Sequence, residues 1–166
     1  MSLRIEPLNR RHDRTAFTCG DKTVDQFLRQ KAMQDQDLDL RRTCVLVDGG
    51  ADSLQILGYH TLAIQQIPQD EIPDKRPKIK RGIPVILIGQ LGVDLTCQGK
   101  GYGELLLEDA QARVLEISKI VGVRSIVLDA RNKRLVTWYS SHGFLRLDDS
   151  LRMAKRTEVV RRELAL

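Results

Sequence analysis

The stretch Pro84–Gly103 reads PVILIGQLGVDLTCQGKGYG and combines an apolar segment with a glycine-rich turn. Pro84–Asp94 is nearly all apolar before Gln90, which predicts a buried central strand. Glycines follow at positions 99, 101 and 103, and Glu104–Val121 carries an apolar stripe at helical spacing. Glycine lets a ligand approach the backbone closely, and the amides at a helix start attract anions. The stretch therefore predicts an anion site between a strand and a helix.

The turn differs from two common phosphate-binding motifs. A dinucleotide fingerprint would need a third glycine where Glu104 stands. A Walker loop would need Ser or Thr after its lysine, whereas Lys100 is followed by Gly101. These residues alone leave a purely structural glycine turn open as the alternative.

The remaining elements predict an α+β fold with a mixed sheet. Further strands are predicted at Leu3–Leu8, Thr43–Val47, Leu54–Ile64, Ser125–Ala130 and Phe144–Leu147. Helices are predicted over Asp21–Gln36, with a possible capping box of Thr23 and Gln26, and over Asn132–His142. Gln65–Gly82 contains three prolines and predicts an exposed loop or a short helix. The strand, turn, helix and strand in the middle predict a right-handed crossover.

Length and composition limit the class of protein. A chain of 166 residues with 42% apolar and 30% charged residues predicts one folded domain over residues 1–166. No apolar run is long enough to span a bilayer, and no signal peptide is evident, so we expect a cytoplasmic protein. Three cysteines and the scattered His12, His60 and His142 lack metal-ligand spacing, so we expect no metal site.

The formal net charge is +5, and the basic residues form two clusters. The first cluster contains Lys75, Arg76, Lys78, Lys80 and Arg81, with no acidic residue among them. The second contains Arg152, Lys155, Arg156, Arg161 and Arg162. Each cluster is either a solvated loop or tail, or a docking surface for a polyanion such as nucleic acid or a phosphorylated cofactor.

Two motifs together resemble the GCN5-related N-acetyltransferase (GNAT) superfamily. Gln98–Gly103 matches the pattern Gln/Arg-x-x-Gly-x-Gly/Ala, and Tyr139–Phe144 matches Tyr-x-x-x-Gly-Phe. Leu91-Gly92-Val93 corresponds to the Leu-Ala-Val that usually precedes the turn. The resemblance covers about Val85–Leu147. It implies the GNAT fold, which is a mixed central sheet with splayed central strands and flanking helices.

The resemblance implies that acetyl-CoA is the cofactor. The cofactor-binding residues that it implies are Leu91, Gly92, Val93, Gln98, Gly99, Lys100, Gly101, Tyr102, Gly103 and Asn132. The pyrophosphate would lie on the turn and the pantetheine along Leu91 and Val93. A backbone N–H near Val93 would polarise the acetyl oxygen, and Tyr139 would protonate the departing thiolate as general acid.

A narrower resemblance points to toxin-type acetyltransferases that are encoded beside ribbon-helix-helix antitoxins. Phe17–Gly20, Val24–Leu28 and Ala32 resemble the opening of these toxins, and so does Leu57–Leu62 with the basic, proline-containing segment that follows. Characterised members acetylate the α-amine of aminoacyl-tRNA and block translation. The resemblance thus implies an aminoacyl-tRNA substrate, a ribbon-helix-helix antitoxin partner and a homodimer.

The basic residues would then contact tRNA phosphates. The candidates are Arg41, Arg42, Lys75, Arg76, Lys78, Lys80 and Arg81. Some of them could instead hold the 3′-phosphate of coenzyme A. Two other functions stay open: a metabolic acetyltransferase for a small amine or a protein N-terminus, and a regulatory protein that binds coenzyme A without catalysis.

Overall fold

The structure is a computed structural model that describes residues 2–50, 54–72, 76–77 and 79–164. Its strands are β1 (Leu3–Pro7), β2 (Arg42–Asp48), β3 (Gly58–Ile67), β4 (Ile83–Val93), β5 (Ser125–Asp129), β6 (Leu145–Arg146) and β7 (Arg152–Arg156). Its helices are α1 (Lys22–Gln30), α2 (Ala32–Asp37), α3 (Tyr102–Ser118), α4 (Lys133–Ser141) and α5 (Thr157–Leu164). None of these helices is long and apolar enough to cross a membrane.

The seven strands form one mixed sheet in the order β1-β2-β3-β4-β5-β7-β6. The pairs β1–β2 and β2–β3 are antiparallel, and β7 is antiparallel to both β5 and β6. β4 and β5 are parallel, with Val85 opposite Ser125, and α3 connects them. The prediction of an α+β fold with a mixed sheet is confirmed.

The chain divides into two compact units. The first contains Met1–Ala63 and Gly89–Ala110, and its core includes Phe17, Leu28 and Tyr59. The second contains Ile64–Ile88 and Gln111–Leu166, and its core includes Ile83, Val127 and Ala154. β3, β4 and α3 contribute residues to both units.

The single helix predicted over Asp21–Gln36 is wrong, because the chain forms α1 and α2 with a break at Lys31. Lys31 has φ −123° and ψ −27°, outside the helical range. The break lets Phe27 and Leu28 of α1 and Ala32 and Met33 of α2 all enter one core. The N-cap is Asp21, whose carboxylate accepts from the amides of Thr23 and Val24, and not the predicted capping box.

The second basic cluster is only partly solvated, because Arg161 and Arg162 are exposed but Lys155 is buried. It contains β7, which lies between β5 and β6, and part of α5. Lys155 is buried in β7, where its Nζ donates to Gln111 Oε1 (2.7 Å), the His142 carbonyl (2.8 Å) and Glu163 Oε2 (2.6 Å). These three acceptors satisfy the charge of Lys155. A segment rich in Lys and Arg can therefore form an internal strand of the sheet.

The segment predicted over Gln65–Gly82 is only partly a loop. β3 continues to Ile67, and a 3-10 turn follows over Gln69–Glu71. The Gln69 side chain is buried and bonds the backbone at Pro77 and Ile79. Two predicted basic residues of this segment, Lys75 and Lys78, lie outside the described residues.

Candidate functional site

The strand end before the glycine turn is crowded at Gly92. A Cβ atom on Gly92 would lie 2.9 Å from Val24 Cγ1 and 3.3 Å from Cys19 Sγ. Glycine at this position lets α1 and the segment before it pack directly on β4. The departure from Leu-Ala-Val therefore has a local steric cause. Leu91 and Val93 are half-buried and pack against an apolar cluster of the first unit.

A short N-terminal segment, Phe17–Gly20, is hydrogen-bonded to the turn that follows β4. We call this segment the strap. The amide of Thr18 donates to Asp94 Oδ1 (3.0 Å), and the amide of Leu95 donates to the Thr18 carbonyl (2.9 Å). The side-chain amide of Gln98 donates to the Cys19 carbonyl (3.0 Å). The strap thus fixes the backbone on which the predicted cofactor turn is built.

The strap is in turn held by Asp25, a buried carboxylate in α1. Asp25 accepts from the Thr18 hydroxyl (3.2 Å) and from the Cys19 amide (2.9 Å). Burial raises the pKa of the neighbouring Cys19 thiol to about 12, so this thiol is neutral at pH 7. The motif Phe17–Gly20 therefore contributes backbone hydrogen bonds to the turn and no reactive thiolate.

Asp94 begins the turn as the N-cap of a 3-10 segment over Leu95–Cys97. Its burial opposes the charged form, but hydrogen bonds from the Thr96 hydroxyl and from the amides of Thr18 and Thr96 outweigh this effect. The pKa of Asp94 is therefore below its ordinary value. The carboxylate holds the turn in place, and no local sequence pattern marks this residue.

Gln98 was predicted to bind the cofactor, and its side chain is engaged within the protein. Its Nε2 donates to the Val93 carbonyl (3.0 Å) as well as to the strap. These two bonds tie the end of β4 to the beginning of the glycine turn. The geometry thus gives Gln98 a positioning part in the turn.

Gly99 and Gly101 form the open part of the turn. Both have φ +82°, in the left-handed region that favours glycine. A Cβ atom on either would meet no heavy atom of the described residues within 4 Å. Lys100 between them is exposed, and Tyr102, which is buried, begins the 17-residue helix α3.

The turn at Gly99 and Gly101, directly before α3, therefore has open space on its glycine side. The first amides of any α-helix lack intrahelical acceptors, and the helix dipole is positive at this end. Gly103, also predicted to bind the cofactor, lies half-buried in this first turn. Backbone amides beside two glycines whose side-chain positions are open can accommodate a bulky anion such as a diphosphate.

The predicted general acid, Tyr139, lies in α4 of the second unit. Its ring is buried and makes edge contacts with Trp138 and Phe144, at centroid distances of 4.9 and 5.7 Å. Burial raises the pKa of the Tyr139 hydroxyl, so the phenol keeps its proton at neutral pH. A group that must donate a proton needs this protonation state.

Asn132 caps α4, with its side-chain oxygen accepting from the Leu135 amide (3.0 Å). The predicted contact of Asn132 with pantetheine would therefore come from its side-chain nitrogen. The cap explains why an asparagine at this position directly precedes a helix.

The predicted basic residues differ in their surroundings. Arg41 is half-buried, with its guanidinium 5.6 Å from the Phe27 ring centroid, 3.4 Å from Gln90 Oε1 and 3.7 Å from Asp35. Arg42 is exposed and donates to Asp39 Oδ1 (2.6 Å). Both arginines thus have acidic partners in the first unit.

In the second unit, Arg76 lies 3.9 Å from Glu158, and Lys80 and Arg81 are exposed. Lys80 and Arg81 are therefore the members of the first basic cluster that the structure shows to be accessible. The other two members, Lys75 and Lys78, lie outside the described residues.

Comparisons with known proteins agree with the fold and with the predicted family. No family model matches the chain. The chain is 31% identical over 151 residues to a protein of Sinorhizobium fredii named probable toxin TacT, with 84% of this chain and 82% of that protein covered. It is 29% identical over 133 residues to a tRNA-acetylating toxin of Mycobacterium tuberculosis, with 80% and 78% covered.

Solved structures of related toxins superpose over nearly the whole chain. A tyrosine-to-phenylalanine mutant of KacT has a TM-score of 0.90 at 26% identity and covers 99% of this chain and 100% of its own. AtaT complexed with acetyl-methionyl-tRNAfMet has a TM-score of 0.88 at 26% identity, with 98% and 99% covered. AtaTR bound with acetyl-CoA has a TM-score of 0.85 at 26% identity, with 98% of each covered. This chain belongs to the toxin-type acetyltransferases of the GNAT superfamily.

Proposed function

We propose that this protein is a toxin that transfers the acetyl group of acetyl-CoA to the α-amine of an aminoacyl-tRNA. The observation that carries the proposal is the open turn at Gly99 and Gly101 before the amides of α3. The named activity of the Mycobacterium tuberculosis relative and the acetylated tRNA bound to AtaT support the choice of substrate. Transfer to the amine would stop that tRNA from entering translation.

The turn suits the diphosphate of coenzyme A in shape and charge. The amides of Gly99–Gly103 would hold the diphosphate, and Lys100 would add a positive charge. Gln98 and Asp94 would act indirectly, since their side chains hold the turn in place. The backbone of Leu91–Val93 would accept the pantetheine, with Gly92 keeping α1 close behind the strand.

Acetyl-CoA supplies an activated acetyl group as a thioester. A backbone N–H near Val93 would donate to the acetyl oxygen and favour attack by the amine. Tyr139 would donate its phenolic proton to the departing thiolate. An α-amine titrates near ~8, so a useful fraction is neutral at pH 7 and can attack without a carboxylate base. The proton that the nitrogen loses as the amide forms would pass to solvent water, and Tyr139 would regain a proton from solvent.

The tRNA would be held by basic residues around its acceptor end. The candidates Lys80 and Arg81 are exposed, Arg76 is half-buried, and Lys75 and Lys78 complete the cluster in the sequence. Arg41 and Arg42 would contribute less to binding, because each already has an acidic partner.

The proposal also includes the domain organisation, cellular location, oligomeric state and antitoxin of the enzyme. Residues 1–166 would act as one acetyltransferase domain in the cytoplasm, and the chain would form a homodimer. A ribbon-helix-helix antitoxin would neutralise it, as the complexes of AtaT with its antitoxin AtaR suggest. The antitoxin would cover basic surface that tRNA otherwise uses.

The test is transfer of labelled acetyl from acetyl-CoA to purified charged tRNAs, compared with free amino acids, polyamines and peptide N-termini. We expect transfer to at least one aminoacyl-tRNA and about tenfold less after reversing two charges at Lys80 and Arg81 to Glu. A double reversal at Arg11 and Lys119, exposed residues outside the two clusters, is the control with the same change in net charge. Turnover of small amines alone, unaffected by the Lys80 and Arg81 reversals, would instead identify a metabolic acetyltransferase.

A further inference from the structure

The buried ammonium of Lys155 connects three helices of the second unit. Lys155 lies in β7, and its side chain is 2% exposed. Its three acceptors are Gln111 Oε1 of α3, the His142 carbonyl at the end of α4 and Glu163 Oε2 of α5, at 2.7, 2.8 and 2.6 Å. An ammonium group has three N–H donors, so these bonds use all of them.

One of these bonds reaches the end of the helix that carries Tyr139. His142 is the C-cap of α4. The last carbonyls of a helix lack intrahelical donors, and the helix dipole is negative at this end. The Lys155 ammonium supplies both a donor and a positive charge there. The Tyr139 carbonyl accepts from the amides of His142 (3.0 Å) and Phe144 (3.2 Å), so Lys155 is bonded to the same turn of backbone.

The Tyr139–Phe144 motif is also packed against Lys155. Gly143 has φ +88°, and a Cβ atom there would lie 3.2 Å from Lys155 Cε. Glycine thus leaves room for the ammonium to reach the His142 carbonyl. Lys155 Nζ lies 5.7 Å from the Phe144 ring centroid, and this ring is 5.7 Å from the Tyr139 ring. Lys155 therefore meets both the backbone turn and a ring neighbour of Tyr139.

Stability alone does not explain a charged residue at this position. Burial of a charge has a large desolvation cost, and replacing a buried ion pair by apolar residues is often neutral or stabilising. An apolar side chain would lack directional bonds, however. Because the ammonium of Lys155 bonds three acceptors on three helices, it fixes the place of each helix relative to β7.

We propose that Lys155 is a positioning residue that holds the Tyr139 hydroxyl where it can transfer its proton. This inference rests on the proposed function, in which Tyr139 protonates the departing thiolate. A displacement of about 1 Å in an active site can lower a rate about 10²-fold. Lys155 would act through α4 and Phe144, without touching acetyl-CoA or tRNA.

The test compares kcat for acetyl transfer with the affinity for coenzyme A. Lys155→Met keeps the length of the side chain and removes its charge. We expect kcat to fall about tenfold to 10²-fold. The affinity for coenzyme A, measured by calorimetry, should stay unchanged, because the glycine turn lies in the first unit and the acceptors of Lys155 lie in the second.

Two further variants separate positioning from stability. Ser125 donates its buried hydroxyl to the Lys155 carbonyl (3.0 Å), so Ser125→Ala loses a buried bond at the same strand position and keeps the ammonium. This control should retain the wild-type kcat. The triple variant Lys155→Met, Gln111→Leu, Glu163→Leu replaces the charge and both side-chain acceptors by apolar groups. It should fold even if Lys155→Met does not, and its kcat should stay low. Recovery of the wild-type kcat in the triple variant would overturn the proposal.

A second readout does not depend on acetyl transfer. The chain has three tyrosines, so NMR of isotope-labelled tyrosine resolves Tyr139, with Tyr139→Phe to assign its signal. We expect Lys155→Met to move this signal and Ser125→Ala to leave it in place. An unmoved signal together with the wild-type kcat would overturn the role of Lys155 and leave that of Tyr139 intact. If the wild-type chain acetylates no aminoacyl-tRNA, the proposed function fails separately. A moved Tyr139 signal would then still support the role of Lys155 in holding the hydroxyl, and an unmoved signal would overturn it.

Discussion

The glycine turn of the first unit and the Tyr139 helix of the second are held in place by opposite kinds of contact. The turn depends on hydrogen bonds with Asp94, Gln98 and the strap, while a Cβ atom on Gly99 or Gly101 would meet no described heavy atom within 4 Å. Tyr139 depends on apolar ring contacts with Trp138 and Phe144. The turn can therefore be weakened from a distance without removing an atom that would meet the cofactor. The chemistry of Tyr139 can be removed without altering its packing.

The largest effect should come from Tyr139→Phe. Loss of the phenolic proton donor should lower kcat about 10²- to 10⁴-fold, the usual contribution of a general acid. The ring contacts remain, so the unfolding temperature should hardly change. Single-turnover acetyl transfer and thermal unfolding measure the two effects. Tyr59→Phe, which alters a tyrosine in the core of the first unit, is the matched control and should retain kcat. A Tyr139→Phe enzyme with nearly wild-type kcat would remove Tyr139 from the chemistry.

An intermediate effect is expected from Gly92→Ala, which tests the crowding behind the cofactor strand. The new methyl group would overlap Val24 Cγ1, so the free energy of unfolding should fall by about 1–3 kcal/mol. Gly122→Ala is the control, because no described heavy atom lies within 4 Å of that added methyl group. The control should stay within about 0.5 kcal/mol of wild type. Chemical denaturation provides both values.

Adding Val24→Ala to Gly92→Ala sharpens this test. If the clash is the cause, the double variant should lose less stability than the sum of the single variants, because the shortened Val24 makes room for the methyl group. Strict additivity would mean that the alanine acts through something other than this contact.

The smallest effect concerns the pH dependence of the turn. The pKa of Asp94 is lower in the folded protein than its ordinary value of 3.8, so its contribution to stability is present above that pH. The contribution is lost as the pH falls through the folded pKa. The difference in unfolding free energy between wild type and Asp94→Asn should thus be constant from about pH 5 to 8 and shrink below about pH 4. A gap that stays constant to pH 3 would contradict the assigned role of Asp94.

The region around β4 was predictable because its signals are local. A continuous apolar run indicates a strand buried on both faces, and the glycines of the turn mark backbone that other residues rarely adopt. Gly99 and Gly101 have the positive φ angles that such a turn requires. The motif thus predicted the strand and the turn that the structure shows, and the cofactor site on that turn stays a prediction.

The missed features depend on contacts between distant parts of the chain. The bond from Thr18 to Asp94 joins residues 76 positions apart, and no local pattern marks either one. No glycine or proline lies at the break at Lys31. The break follows from the packing of both α1 and α2 into one core. The sequence pattern around Lys155 is typical of a solvated segment, and its three acceptors are brought to it only by the fold.

The position of β7 has a consequence for how the enzyme is made. β7 is made after β5 and β6, yet it lies between them in the sheet. A nascent chain interrupted before Arg152 has no strand to pair with β6. One edge of β5 is then unpaired as well. The helix that carries Tyr139 therefore gains its final support only after β7 has been made. A protein proposed to inhibit translation would thus have to be translated through β7 before it is folded and able to acetylate tRNA.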